Sequence, residues 1–514
     1  MSIRPRDCLF RTCLILCGFG VTVAASAMDS TEVQTPKRPL TIERLYSLPS
    51  IIGTAPENPT WSADSRRLAF LWNDKGLPFR DIWLTGIDGG KPVQITRMPQ
   101  LDYPPDPGVD ITKLEQRARF ESDHGISELV WAPDGRHLIF ALHGALYQVL
   151  PGKPAQALSA AGVSGSDLGV SAQAHAMAYR SARGLSVADF KGDTISTRAL
   201  YSPTAKDMRV ESYVWSADGK RLAFVEADAS RVPTRGIPDY LGDATRLVEV
   251  KRPFPGEPSP TRRLGVIATS GGEVAWMDLG DEPLDQIFDV RWSPDSQQLL
   301  VDKSDLYIKH RRLLIIDPDN GKSRDLLQES DPNNVTAEWW VDWAPDGKGI
   351  YFTSDRDNDY HVYYQALSGG EPKAVTSGDW AVFSASISSA ANALFVVSNE
   401  ANAESRRIHR ISLSTGEVSA VTPTKGAHHP TISPDGKMIA DLFSDDVTPA
   451  DLYLQTANAA KPKRLQVTHS PLPEFNAYRW IAPKYVVFHN VNDQTPIHAR
   501  LTLPPDFDPS KMHP

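Results

Sequence analysis

The sequence predicts an all-β fold: an eight-bladed β-propeller of four-stranded blades, interrupted by two rim insertions. Three observations carry that expectation. A strand–turn–strand unit recurs as Trp61-Ser-Ala-Asp-Ser, Trp131-Ala-Pro-Asp-Gly, Trp215-Ser-Ala-Asp-Gly, Trp292-Ser-Pro-Asp-Ser, Trp343-Ala-Pro-Asp-Gly and Ile432-Ser-Pro-Asp-Gly. Two weaker copies, at Val170 and Ile387, keep only the apolar alternation, and the eight starts lie 70, 39, 45, 77, 51, 44 and 45 residues apart, near the ~40–50 residues of one blade. A second turn class, Gly89-Gly90-Lys91-Pro92-Val93-Gln94-Ile95-Thr96, returns at Gly369–Thr376 and loosely at Thr415–Thr422.

The unit at Val341–Phe352 shows why the device folds. Val341 and Trp343 alternate as a strand, Pro345 fixes φ, Asp346 can bond its own backbone two residues on, and Gly347 accepts φ > 0 before Ile350 and Phe352 resume the alternation. The glycines of the second class allow the turn into the outer strand.

Taken in order, residues 1–27 read as a secretory signal. They hold Arg4 and Arg6, an apolar run from Leu14 to Ala25, and Ala25-Ser26-Ala27 before Met28. The run is shorter than the ~20 residues a membrane span needs, so an exported chain is expected, periplasmic or secreted, with no stable membrane span after cleavage. Residues 28–50 are a lead-in, 51–495 the propeller, and 496–514 a strand and linker leaving it. The two long intervals place insertions at Leu101–Ser127, which carries a short helical pattern around Lys113–Phe120, and at Ala227–Gly272. The second holds the proline-rich run Arg252–Thr261, which excludes a regular helix or central strand.

Composition narrows the function classes. The formal charge is −9 with 63 acidic against 54 basic residues, and the leader removes more basic than acidic residues, so nucleic acid is not an expected partner. All three cysteines lie in the leader, which leaves the mature chain without a thiolate nucleophile or a Cys metal ligand. No cofactor is expected, since neither a phosphate-binding loop nor a dinucleotide fingerprint occurs. No metal is expected either: the loops at Asp317 and Asp355 lack the Glu of a calcium loop, and His428-His429 lacks a third ligand. The tryptophans of the repeat are expected in the core, with the doublet Trp339-Trp340 left to face a channel. Gly-x-Ser-x-Gly is absent; Gly162-Val163-Ser164-Gly165 is the nearest approach.

The Trp-Ser-Pro-Asp-Gly turns resemble the repeats shared by periplasmic TolB-like proteins and the prolyl oligopeptidase family. Tyr213–Phe224, then Arg231-Val232-Pro233, then Lys251–Val266 resemble the dipeptidyl peptidase IV branch in order and spacing. Leu503–Pro514 resembles the join in that branch between propeller and α/β-hydrolase domain. The resemblance implies a propeller that gates and docks peptide substrates for an exported serine-type peptidase, with a hydrolase domain and a homodimer as partners. The triad would then lie beyond Pro514, and the chain as given is expected to be inactive alone. That branch grips a substrate's N-terminal ammonium with a Glu-Glu pair ahead of the repeat matching Trp215. Here Lys206-Asp207-Met208-Arg209 stands at that place, making Asp207 the expected anchor, with Arg119 expected on a substrate carbonyl. The alternative, a stand-alone TolB-like binding or scaffold propeller, is set apart by the proline-rich insertion, which such proteins are not expected to carry.

Overall fold

The computed structural model describes residues 39–97, 125–142, 144–158, 165–192, 194–240, 244–280, 286–335, 340–422, 425–458, 463–504 and 507–511. Eight four-stranded antiparallel sheets follow one another along the chain, spanning 54–94, 126–157, 166–201, 208–276, 286–330, 341–374, 382–420 and 427–466. The eight-bladed propeller is therefore present, and the two weakest repeats form complete blades: Val170 lies in Ser166–Ser171 and Ile387 in Val382–Ser388. In each blade the strands lie in sequence order, and the first strands of blades 1 to 6 approach one another in turn.

Each first strand ends at the repeated turn and each second strand returns from it. All the Asp turns thus share one rim, called here the turn rim. Connections from second to third strand, and from one blade to the next, open on the opposite rim, the insertion rim.

The turn chemistry is uniform. Oδ1 of Asp64, Asp134, Asp218, Asp295, Asp346 and Asp435 accepts the backbone N–H two residues on, at 2.8–3.1 Å. The Ser62 hydroxyl, then the Arg66 N–H, hold the Asp64 carboxyl below its ordinary range, as Ser293 and Gln297 do for Asp295. The next position is left-handed throughout: glycine in four copies, but Ser65 at φ 59° and Ser296 at φ 61°. Those serines compensate for the strain. Ser65 Oγ accepts the Asp435 N–H of blade 8, and Ser296 Oγ accepts the Asp218 N–H of blade 4, both at 3.0 Å.

The tryptophans are core residues with a second task. Each indole N–H crosses the seam to the carbonyl that precedes the equivalent position of the preceding blade: Trp61 to Thr431, Trp131 to Thr60, Trp215 to Gly169, Trp292 to Val214 and Trp343 to Arg291, at 2.9–3.3 Å. A neutral bond of this kind contributes a net ~0.5–1.5 kcal/mol, beside the larger burial of the ring. Arg67 and Arg221 lie over the rings of Trp131 and Trp292 at 4.6 and 4.7 Å, so the second strand of one blade covers the tryptophan of the next.

The second turn class has its own logic. Thr96, Thr376, Thr422 and Thr468 each take a third-strand N–H of their own blade on Oγ1 at 2.9 Å. Thr96 and Thr468 also donate to Asp81 and Asp451. The outer strand is pinned by a side chain where its backbone ladder is only two or three residues long.

Among the described residues no strand is exchanged between blades 1 and 8. The ring closes through Trp61 on Thr431, Asp435 on Ser65, Trp72 Nε1 on Ser470 Oγ at 3.1 Å and Leu472 N–H on the Ile51 carbonyl at 3.1 Å, over a shared apolar cluster of Trp61, Leu68, Phe70, Leu452 and Leu454. A buried charge network joins blades 5 and 6. Arg311 binds Asp302 at 2.7 Å, Glu329 at 3.1 Å and the Thr353 carbonyl at 2.6 Å.

Two expectations are corrected. Trp340 packs with Val362, Val382 and Leu394 between blades 6 and 7 rather than facing a channel; Trp339 lies outside the described residues. The blade strands end at Gln466, and Tyr485–Phe488, expected within the propeller, pairs instead with the strand expected to leave it. Lys484–His489 and Pro496–Leu501 form a separate two-stranded hairpin, because the apolar run at 485–488 finds its complement across a short turn.

Candidate functional site

The insertion rim of blade 4 is where the repeat is most altered. Between its second strand, Arg221–Asp228, and its third, Thr261–Ala268, the strands Thr234–Asp239 and Arg246–Lys251 pair as a projecting hairpin. The proline-rich run folds back on it as a loop. Arg235 lies 3.8 Å over the Phe254 ring and binds Glu257 at 2.5 Å, while Glu257 accepts the Phe254 N–H at 2.8 Å. The remainder is open: Tyr240 and Leu247 are 74% and 71% exposed, and Ile237, Val248 and Phe254 are also exposed.

Asp207 sits at the base of this hairpin. Its carbonyl accepts the Ala229 N–H at 3.0 Å, and its carboxylate lies 3.5 Å from Lys251 Nζ. Its neighbours are paired as well. Glu211 is held by Arg262 at 2.8 Å and Arg209 at 3.3 Å. Glu226, fully buried, is held by Arg263 at 2.6 Å and the Tyr201 hydroxyl at 2.5 Å. Burial, and then Glu226, push that phenol up to about 12. Arg263 in turn lies 3.5 Å over Trp276. An incoming ammonium at Asp207 would have to compete with Lys251.

The inner strands of blades 5 and 6 bring together Asp289, Arg291 and Asp342. Arg291 binds Asp289 at 2.9 Å. Burial raises the Asp342 carboxyl above its ordinary range, although Arg291 opposes the shift. Among the described residues no group of three His, Cys, Asp or Glu is placed to hold a metal. Asp317 and Asp357 are engaged locally, by Asn320 and by the Tyr363 hydroxyl, and His428 is buried against Asp441 at 2.7 Å.

The C-terminal hairpin lies on the same rim, over blades 7 and 8. The Tyr485 hydroxyl and Arg500 meet Asp446 at 2.8 and 3.1 Å, and Lys425 lies 4.5 Å over the Tyr485 ring. A cleft of about 520 Å³ separates hairpin from blades. Val487, Phe488, Ile497 and Leu501 of the hairpin are exposed.

Residues 208–450, which contain blade 4 with its hairpin, match the family described as the dipeptidyl peptidase IV (DPP IV) N-terminal region. The chain carries a DPP IV-like propeller. Dipeptidyl peptidase 4 of Trichophyton equinum is 21% identical over 323 residues, a match covering 58% of this chain and 41% of the relative; that of Trichophyton rubrum gives the same shares. The chain thus spans about two fifths of the length of these curated relatives. The crystal structure of Porphyromonas gingivalis dipeptidyl peptidase 4 superposes with a TM-score of 0.73 at 18% identity, over 93% of this chain and 69% of that one, a likeness of fold.

In this DPP IV-like propeller, Asp207 lies on the insertion rim, tied to a cation. Arg119 lies outside the described residues. Sequence reasoning missed Lys251, Arg262, and Glu226 with Arg263 and Tyr201. The only signal for Lys251 was the pair of alternating runs on either side of Gly242-Asp243, whose pairing brings Lys251 back beside Thr234 and hence over Asp207.

Proposed function

We propose that this chain is the substrate-gating and docking propeller of an exported, DPP IV-like serine peptidase. The observation that carries the reading is the blade 4 hairpin. It lies inside the matched region and projects from the rim that also bears the C-terminal hairpin. Both expose apolar side chains there, a feature of surfaces that meet a partner. In this reading an α/β-hydrolase domain faces the insertion rim, peptides reach it between the two hairpins, and the hairpin residues Ile237 and Val248 also offer a surface to a second copy. Asp207 and Arg119 are the proposed contacts to the peptide N-terminus and backbone.

The test is titration of the purified chain with short peptides bearing a free N-terminus, followed by calorimetry. Saturable binding that disappears when 233–252 is replaced by a short Gly-Ser turn is expected. Absence of binding, or binding untouched by that replacement, overturns the docking role. Cell fractionation with N-terminal sequencing tests export, for which cleavage after Ala27 is expected.

A further inference from the structure

The eight seams of the ring are not equivalent. Among the described residues five carry an indole bond; the three that lack one join the blades of Val170, Ile387 and Ile432, which stand in place of Trp, to the blade before each. Blade 3 is still held on both sides, since Trp215 of blade 4 donates to it and Glu128 of blade 2 accepts its Asp167 and Leu168 N–H groups at 2.6 and 2.8 Å. Among the described residues, blade 7 is the one blade with no indole bond on either side.

A second observation falls on the same place. Among the described residues, buried side-chain atoms without a hydrogen-bond partner concentrate on blades 7 and 8. They include Asn402 Oδ1, Ser405 Oγ, Arg407 Nε and Arg410 Nε on blade 7, and Asp441 Oδ1 and both amide atoms of Gln455 on blade 8. Gln455 pairs across strands with Ile439, and Asp441 follows Ile439 by two residues on the same face; Ile439 packs with Phe395 and Ile408 of blade 7. Buried polar atoms without a protein partner are places where the blade can take up water.

Apolar clusters fill both seams of blade 7, but among the described residues its backbone hydrogen bonds to the neighbouring blades lie at the insertion rim. Its Arg406 N–H reaches the Gly426 carbonyl at 2.8 Å and its Arg406 carbonyl takes the His428 N–H at 3.1 Å; its Val382 N–H reaches the Tyr360 carbonyl of blade 6 at 2.8 Å. At the turn rim, where Ser65 and Ser296 tie other seams, blade 8 presents Gly436 against Ala391, which supplies contact without a bond.

We propose that blade 7 is a hinged segment of the ring. It swings about its insertion-rim backbone bonds, so that the seams to blades 6 and 8 part at the turn rim and widen the channel mouth there. Its use, admitting peptide to the channel, rests on the docking reading; the motion itself does not.

Hydrogen exchange on the whole chain without peptide tests the motion. Turn-rim amides of blade 7, in 386–394 and 410–420, are expected to exchange about tenfold faster than their counterparts 291–299 and 314–323 in blade 5. Ile432→Trp, which supplies an indole for the carbonyl ahead of Ile387, is expected to slow them about three- to tenfold, the value of one such bond. Trp343→Phe removes the N–H of a present tie together with part of a buried ring and is expected to speed turn-rim exchange in blades 5 and 6 by at least the same factor. Blade 7 exchanging no faster than blade 5, or exchange in blades 5 and 6 indifferent to Trp343→Phe, overturns the proposal. Peptide association separates the two readings. Slower entry at unchanged affinity in Ile432→Trp supports the gate, whereas failure of any peptide to bind removes the docking reading and leaves the exchange result standing.

Discussion

On the turn rim, six aspartates hold six turns in one geometry, each by the same bond to the N–H two residues on. On the insertion rim the same blades carry a hairpin at blade 4, a second hairpin over blades 7 and 8, and the ion pairs Lys251–Asp207 and Arg500–Asp446. The difference teaches where to look for function in a repeat protein. The rim that repeats is occupied with closing the ring, and the rim that departs from the repeat is free to meet something else.

Three predictions can break that contrast. The largest effect is expected at the repeat. Trp292→Ala empties the seam between blades 4 and 5 and should lower stability by ~3–5 kcal/mol, read as an earlier urea transition. A change below ~1 kcal/mol would show that the seams do not carry the ring. Next come the turn carboxylates. Asp64→Asn or Asp295→Asn should each lose ~1 kcal/mol at neutral pH. Because the folded pKa of both lies below the ordinary 3.8, the stability they supply is fully present above that value and is lost as pH falls through the lower folded value. Wild type should therefore approach the Asn variants in strong acid, and a gap that persists there would mean the loss is not electrostatic. The smallest effect belongs to the other rim. Leu247→Ala, in a side chain 71% exposed, should shift stability by less than ~0.5 kcal/mol; a larger loss would mean that the hairpin is part of the ring's packing.

The blades were legible because each restates a local rule. Apolar alternation, a turn acid and a left-handed glycine all act within a dozen residues. Even the decayed copies at Val170 and Ile387 kept the alternation, which is what the sheet needs. Ser65 and Ser296 stand where the other copies have glycine; their cross-blade bonds are visible only once blade 8 lies beside blade 1 and blade 4 beside blade 5. The same limit governed the site. Asp207 was singled out only by the family resemblance ahead of Trp215, and the partner that neutralises it, Lys251, stands in another strand that only the hairpin register brings over. The unpaired groups between blades 7 and 8 are likewise a property of two sheets facing each other, and no spacing in either strand announces them.

The closure of the ring has a consequence for how the chain is made. Trp61 donates to a carbonyl 370 residues further along, and the apolar face formed by Trp61, Leu68 and Phe70 is completed only by Leu452 and Leu454. At a synthesis rate of ~5–20 residues per second, that face waits roughly 20 to 75 s for its partner. Every blade between can settle against its predecessor as it emerges, but the first cannot be covered until the last is finished. The nascent chain thus carries a sticky leading edge for most of its synthesis, and a chaperone or an export factor that recognises the protein before completion would find its binding surface there.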